Sequence, residues 1–112
     1  MRRHRSTQLA GLALLGVLGG CTQSSSEPAF DDAKGAPVSC MAHQRHEPTR
    51  DYTAGSQANT QLVLSMLRYY SANAMKGYCD RKPATAIDRT WANLYVKLGA
   101  SPEQVAGILA SK

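Results

Sequence analysis

A short apolar run near the start of the chain most limits what the rest can fold into. Between Arg5 and Glu27 no side chain is charged, and residues 9–18 consist of Leu, Ala, Gly and Val alone. A helix needs roughly 20 apolar residues to cross a hydrocarbon core, about twice the length of this run. Arg2, Arg3 and Arg5 lie just ahead of it. A cationic start followed by a short apolar core has the build of an export signal, which the mature protein lacks. The positive end stays on the cytoplasmic side while the apolar run enters the export channel. Residues 1–20 are therefore expected to contribute nothing to a folded core.

The same cut redistributes the charge. The whole chain has 13 Lys and Arg against 8 Asp and Glu, a formal net of +5. Removing the three early arginines leaves ten basic residues against the same eight acids, a net of +2. Most of the basic excess thus belongs to the discarded segment. Nucleic-acid binding requires a clustered basic face and not a high overall pI, so no nucleic-acid partner is expected.

The apolar run leads into Leu18-Gly19-Gly20-Cys21. An aliphatic residue, two small residues and a cysteine in that order resemble the lipobox of bacterial lipoproteins. The resemblance covers about the first 21 residues. It implies diacylglyceryl transfer to the Cys21 sulfur, cleavage before Cys21, and residence at the cell membrane or envelope on the extracytoplasmic side. A single acyl chain gives only reversible membrane binding, whereas two give lasting attachment.

Lipid on Cys21 also resolves the odd count of three cysteines, because it leaves Cys40 and Cys79 as a pair. Disulfides persist outside the cytoplasm. This one would close a loop of about 40 residues and stabilise by roughly 4 kcal/mol in the chain-entropy model. Only 73 residues run from Cys40 to Lys112, a size at which a single core gives marginal stability without a staple.

Residues 22–39 are rich in Ser, Asp, Gly and Pro and poor in apolar side chains, so they lack the surface to repay ordering. They read as a flexible linker of 18 residues reaching roughly 20–25 Å. Phe30, the chain's one phenylalanine, reads there as incidental rather than as an anchor.

Beyond residue 40 three segments carry helical apolar spacing, and no alternating stretch suggests a sheet. The first helix is expected over about 56–76, capped by Ser56 or Thr53 and stopped by a left-handed Gly77. Val63, Met66, Leu67, Tyr70 and Ala74 form its apolar face. The second is expected over about 85–98, with Ile87, Trp91, Leu94, Tyr95 and Leu98 as its stripe and Gly99 as its stop. Thr85 and Asp88 stand in the spacing of a capping box. Ser101-Pro102-Glu103 opens a third, which buries Val105, Ile108 and Leu109. The fold class is therefore mainly α. It comprises a small three-helix domain (residues 40–112) with an irregular, disulfide-linked N-terminal segment, after a signal peptide (1–20) and a disordered linker bearing the lipidated cysteine (21–39).

Three groups of side chains carry candidate chemistry. Cys40, His43 and His46 are spaced three apart beside Met41 and Glu47, and such donors can hold zinc or copper. The cluster lacks the second ligand pair of structural zinc motifs, and a disulfide at Cys40 would remove its thiolate. The competing reading is a pair of solvated loop histidines. Tyr69, beside the buried stripe, and Arg81-Lys82, just after Cys79, are the expected contacts for an envelope protein or an anionic polymer. An enzyme needs a nucleophile with its base or paired carboxylates in a cleft, and no such arrangement is legible. No resident cofactor is expected. The expected role is a membrane-anchored, non-catalytic binding or structural domain. The alternative is a metal-handling lipoprotein using His43 and His46, which free cysteines would favour.

Overall fold

The computed structural model describes residues 28–32 and 37–112. The export signal, the lipobox and Cys21 lie outside the described residues. The helices run in the order α1 (Arg50–Thr53), α2 (Thr60–Asn73), α3 (Ala86–Lys97) and α4 (Ala106–Leu109), and the two long ones, α2 and α3, begin at side-chain caps. Single 3-10 turns precede α2 (Gly55–Gln57) and α4 (Pro102–Val105). The described residues contain no strand, only an isolated parallel bridge between Met41 and Tyr78, so the protein is mainly helical. No helix among them is long and apolar enough to cross a membrane.

The α3 helix begins and ends as its sequence dictates. The Thr85 hydroxyl accepts from the Asp88 backbone N–H at 3.1 Å, and the Asp88 carboxylate accepts from the Thr85 N–H at 2.8 Å. That reciprocal box satisfies two of the donors a helix start leaves free. At the other end Gly99 takes φ +103°, the Gly99 N–H bonds the Val96 carbonyl, and the Ala100 N–H bonds the Tyr95 carbonyl. This pair of bonds is the Schellman stop, which favours glycine at the left-handed position.

The α2 helix is shorter than its periodicity predicts. Gly55 turns left-handed at φ +63°, and the chain passes through a 3-10 turn before Asn59 caps the Leu62 N–H at 3.2 Å. Asn59 thus replaces Ser56 and Thr53 as the start signal. The helix ends at Asn73, and Gly77 is not the expected left-handed stop. The Gly77 carbonyl instead accepts from the Met41 N–H at 2.9 Å. The left-handed residue of this loop is Arg81, at φ +62°.

The third expected helix is a 3-10 turn followed by one α turn, and α1 is an element the periodicity did not announce. Ser101 makes no cap; its hydroxyl bonds Glu103 at 2.6 Å. The expected inward residues hold better than the geometry. Val105 and Ile108 are buried, and Leu109 is half-buried. On α3, Trp91, Leu94 and Tyr95 are buried, whereas Leu98 is 43% exposed.

The largest departure lies upstream of Cys40. Phe30, expected in a disordered linker, is 2% exposed. Its ring meets Tyr69, Tyr70 and Trp91 edge-on, at centroid distances of 5.3, 5.4 and 4.8 Å. Burial of an aromatic ring with three edge-to-face neighbours outweighs the ordering of a short strap. The strap is also sewn down by polar contacts. The Asp31 N–H bonds Gln44 at 2.8 Å, the Arg45 guanidinium pairs with Asp31 at 3.0 Å, and the Val38 N–H bonds Asn73 at 2.9 Å. Residues 28–32 and 37–39 therefore belong to the packed domain and not to a flexible linker.

Phe30 also explains the rotation of the α2 face. Covered by that ring, Tyr69 is buried together with Met66, Tyr70, Asn73 and Ala74, while Val63 and Leu67 remain half-buried. Cys40 and Cys79 form a disulfide with their Cα atoms 5.0 Å apart. It clamps the strap beside the end of α2, where the Met41–Tyr78 bridge already lies.

Candidate functional site

Two features of the fold gather polar chemistry, a histidine held between two carboxylates and a basic groove. His43 follows Met41 out of the bridge and stacks on Tyr78, with centroids 4.1 Å apart and planes 12° from parallel. Its Nδ1 lies 2.6 Å from Asp88 Oδ2 and its Nε2 lies 2.9 Å from Asp80 Oδ1. Both nitrogens can donate only in the imidazolium form. Burial alone would lower the His43 pKa. The hydrogen bonds and charges of Asp88 and Asp80 outweigh that effect and raise it above the ordinary 6.5. Asp80 is held below its ordinary 3.8 by the Lys82 backbone N–H and then by His43.

Asp88 is the hub of this arrangement. Its side chain is fully buried. It accepts from Thr85 N–H and hydroxyl, from His43, and from the Gln44 N–H at 2.7 Å. A buried carboxylate persists only when it is paired and hydrogen-bonded in this way. The hydroxyls of Tyr69, Tyr70 and Tyr78 are buried without a hydrogen-bond partner among the described residues. Burial raises the pKa of all three, that of Tyr69 to about 12.

The groove, about 590 Å³ in volume, runs between the loop after α2 and the C-terminal turns. Met41, Ala74, Ala84 and Ile108 contribute apolar lining, and Lys76, Arg81, Lys82 and Glu103 contribute its charge. Arg81 and Lys82 are exposed. Lys76 is tied to the Val38 carbonyl at 2.6 Å and to Asn73 at 3.0 Å. A second cavity of about 390 Å³ is lined in part by Tyr52, Val63, Leu64 and Leu98.

The expected site residues fare unequally. Cys40 and Cys79 are brought together in a disulfide. Arg81 and Lys82 reach the surface beside the groove, but Tyr69 is 0% exposed, so an external partner cannot touch it. The correction follows from Phe30, which covers that side of α2. His43 and His46 do not act as a pair. His43 is engaged on both nitrogens, whereas His46 is exposed and takes part through its backbone carbonyl, which accepts from Trp91 Nε1 at 2.7 Å. With Cys40 oxidised, the three-donor cluster loses its thiolate. Asp80 and Asp88 had no assigned role in the sequence beyond the capping box. That box was the available signal for a buried carboxylate at the start of α3.

Comparison with protein-family models, with curated proteins and with solved structures found no match for this chain.

Proposed function

We propose that the mature protein is a lipid-anchored, non-catalytic binding or structural domain on the extracytoplasmic side of the cell membrane or envelope. The observation that carries this reading is Leu18-Gly19-Gly20-Cys21 at the end of a short apolar run. Every core position among the described residues, from Phe30 onward, lies after Cys21 and remains once the signal is removed. The Cys40–Cys79 bond suits an oxidising compartment. The non-catalytic assignment follows the sequence, in which no nucleophile with its base and no paired carboxylates in a cleft are legible. His43, with both nitrogens held by carboxylates, suits a structural role.

The test is the intact mass of native protein extracted from membranes, alkylated with and without prior reduction. A lipidated chain beginning at Cys21, whose other two cysteines alkylate only after reduction, supports anchor and staple together. Replacing Cys21→Ala is expected to release the protein from membranes with its circular dichroism unchanged. A lipid-free native chain would refute the anchor.

A further inference from the structure

We infer that the face formed by Met75, Arg81 and Lys82 beside the 590 Å³ groove is a second membrane contact, docking the domain on anionic phospholipid headgroups. This rests on the proposed lipid anchor and deepens it, from a domain hanging on a tether to one lying against the bilayer.

Four observations converge on this face. Met75 is 78% exposed, against 43% for Leu98, the other exposed large hydrophobe among the described residues. It lines the same groove as Arg81 and Lys82. A bulky apolar side chain among cations is the composition of an interfacial surface, where the apolar group enters the headgroup region and the cations meet phosphates.

The charge on this face remains net positive, with Lys76, Arg81 and Lys82 against Glu103 and the neighbouring Asp80. Arg81 and Lys82 form no salt bridge among the described residues, although the Asp80 carboxylate feels the Lys82 charge. Asp80, their neighbour, is engaged by His43. Lys76 bonds only neutral oxygens, as does Arg89, which donates to the Ala84 and Ser111 carbonyls near the groove. Glu103 is the single acid in the lining.

The loop is also held in advance of contact. The Cys79 disulfide, the Arg81 N–H to Tyr78 carbonyl bond at 2.9 Å and the Lys82 N–H to Asp80 bond at 2.8 Å fix it. Arg81 occupies a left-handed conformation at φ +62° that ordinarily favours glycine. Docking a fixed loop costs less entropy than docking a mobile one.

The buried Phe30 shortens the tether. Nine Cα–Cα steps separate Cys21 from the buried Phe30. Fully extended they span at most about 32 Å. A lipid on Cys21 would hold the whole domain close to the bilayer and so raise the effective concentration of headgroups, whereas an acidic protein partner must be encountered by diffusion.

The test uses the lipidated full-length product with a polarity-sensitive fluorophore on Met75→Cys. It is reconstituted on phosphatidylcholine vesicles, or on the same vesicles with one third phosphatidylglycerol. Flotation reports the anchor, and quenching by brominated lipid reports contact at position 75. The expected result is flotation on both vesicles, with strong quenching on the anionic ones alone. Arg81→Gln with Lys82→Gln should lower the ratio of docked to undocked chains about 25-fold, from roughly fivefold per basic residue near an anionic surface. Half-molar salt should do the same by screening.

Flotation on both vesicles with an unquenched probe keeps the anchor and overturns the docking face. Flotation on anionic vesicles alone, with quenching, overturns the anchor and keeps the face. Reversal by inorganic phosphate beyond that by sodium chloride of equal ionic strength would replace the headgroup surface with a small-anion site. A probe that ignores vesicles but responds to a polyglutamate peptide would transfer the face to an acidic protein partner.

Discussion

Replacing Phe30→Ala separates a packed strap from a disordered linker more sharply than any other single change. The ring is 2% exposed and touches three other rings of the core. Full burial of a phenylalanine removes on the order of 150–250 Å² from water. At about 25 cal/mol per Å² that is roughly 4–6 kcal/mol, an upper figure because the unfolded chain already hides part of this area. Large-to-small changes at such sites cost about 3–5 kcal/mol, and the two routes agree near 4 kcal/mol. In a domain of this size each kcal/mol moves Tm by about 4–8 °C, so the expected loss exceeds 12 °C.

The assay is urea unfolding followed by far-ultraviolet circular dichroism, with the wild type and Leu98→Ala alongside. Leu98 is 43% exposed and serves as the control for a generic apolar truncation. The Phe30 N–H bond to the Tyr52 hydroxyl at 3.3 Å uses backbone and survives the change, so the loss reports the ring alone. If Phe30→Ala and Leu98→Ala both lose less than about 1 kcal/mol, residues 28–32 contribute nothing to the core and the linker extends to Cys40. The tether between Cys21 and the packed domain would then be correspondingly longer.

Three further outcomes follow from the same packing. Replacing Cys40 and Cys79 together by Ala should cost about 4 kcal/mol for a loop of this length, read as a lowered urea midpoint. A change below 1 kcal/mol would mean the bridge and strap hold without the staple. The His43 pKa is raised on folding, so its contribution is fully present below 6.5 and is lost as pH rises through the folded value. Stability should therefore fall as pH rises through that window, and His43→Gln should flatten this part of the profile; an unchanged profile would refute the imidazolium assignment. Asp88→Ala should cost about 3 kcal/mol or more, combining a lost helix cap with a buried backbone N–H at Gln44 and an imidazole stripped of its partner. A cost near that of a surface cap, about 1 kcal/mol, would show that the hub carries only the helix start.

The legible parts of the chain were those whose signal is local. Thr85, Asp88 and Gly99 specify both ends of α3 through neighbours three or four residues away, and α3 falls where they place it. Residues 60–73 also carry their own periodicity. The exact start of α2 did not, because Ser56, Thr53 and Asn59 are all competent caps and the left-handed turn at Gly55 decides among them. The pairing of Cys40 with Cys79 was legible through parity once Cys21 was assigned to lipid. What stayed hidden depends on contacts distant in sequence. Phe30 lies 39 to 61 positions from the rings it meets, and composition around it is that of a linker. Tyr69 was misplaced for the same reason, since the side chain that covers it is Phe30. His43 is 45 positions from Asp88 and 37 from Asp80, so no local spacing announces their contact.

Asp88 joins these local and distant layers. One oxygen closes the capping box on Thr85 and meets His43, while the other accepts from the Gln44 backbone. Gln44 in turn reaches Asp31 next to Phe30, through bonds of 2.8 and 3.3 Å. The register of α3, the course of residues 41–45 and the seating of the Phe30 strap therefore share one buried carboxylate. Truncating it leaves several polar groups unmet at once, which couples the strap to the helix start more strongly than apolar contact alone would. The physical consequence is cooperativity. Strap and helices should unfold in one transition, with the groove loop included through Asp80 and His43. A domain assembled this way presents its basic face as a fixed surface and not as a fluctuating loop.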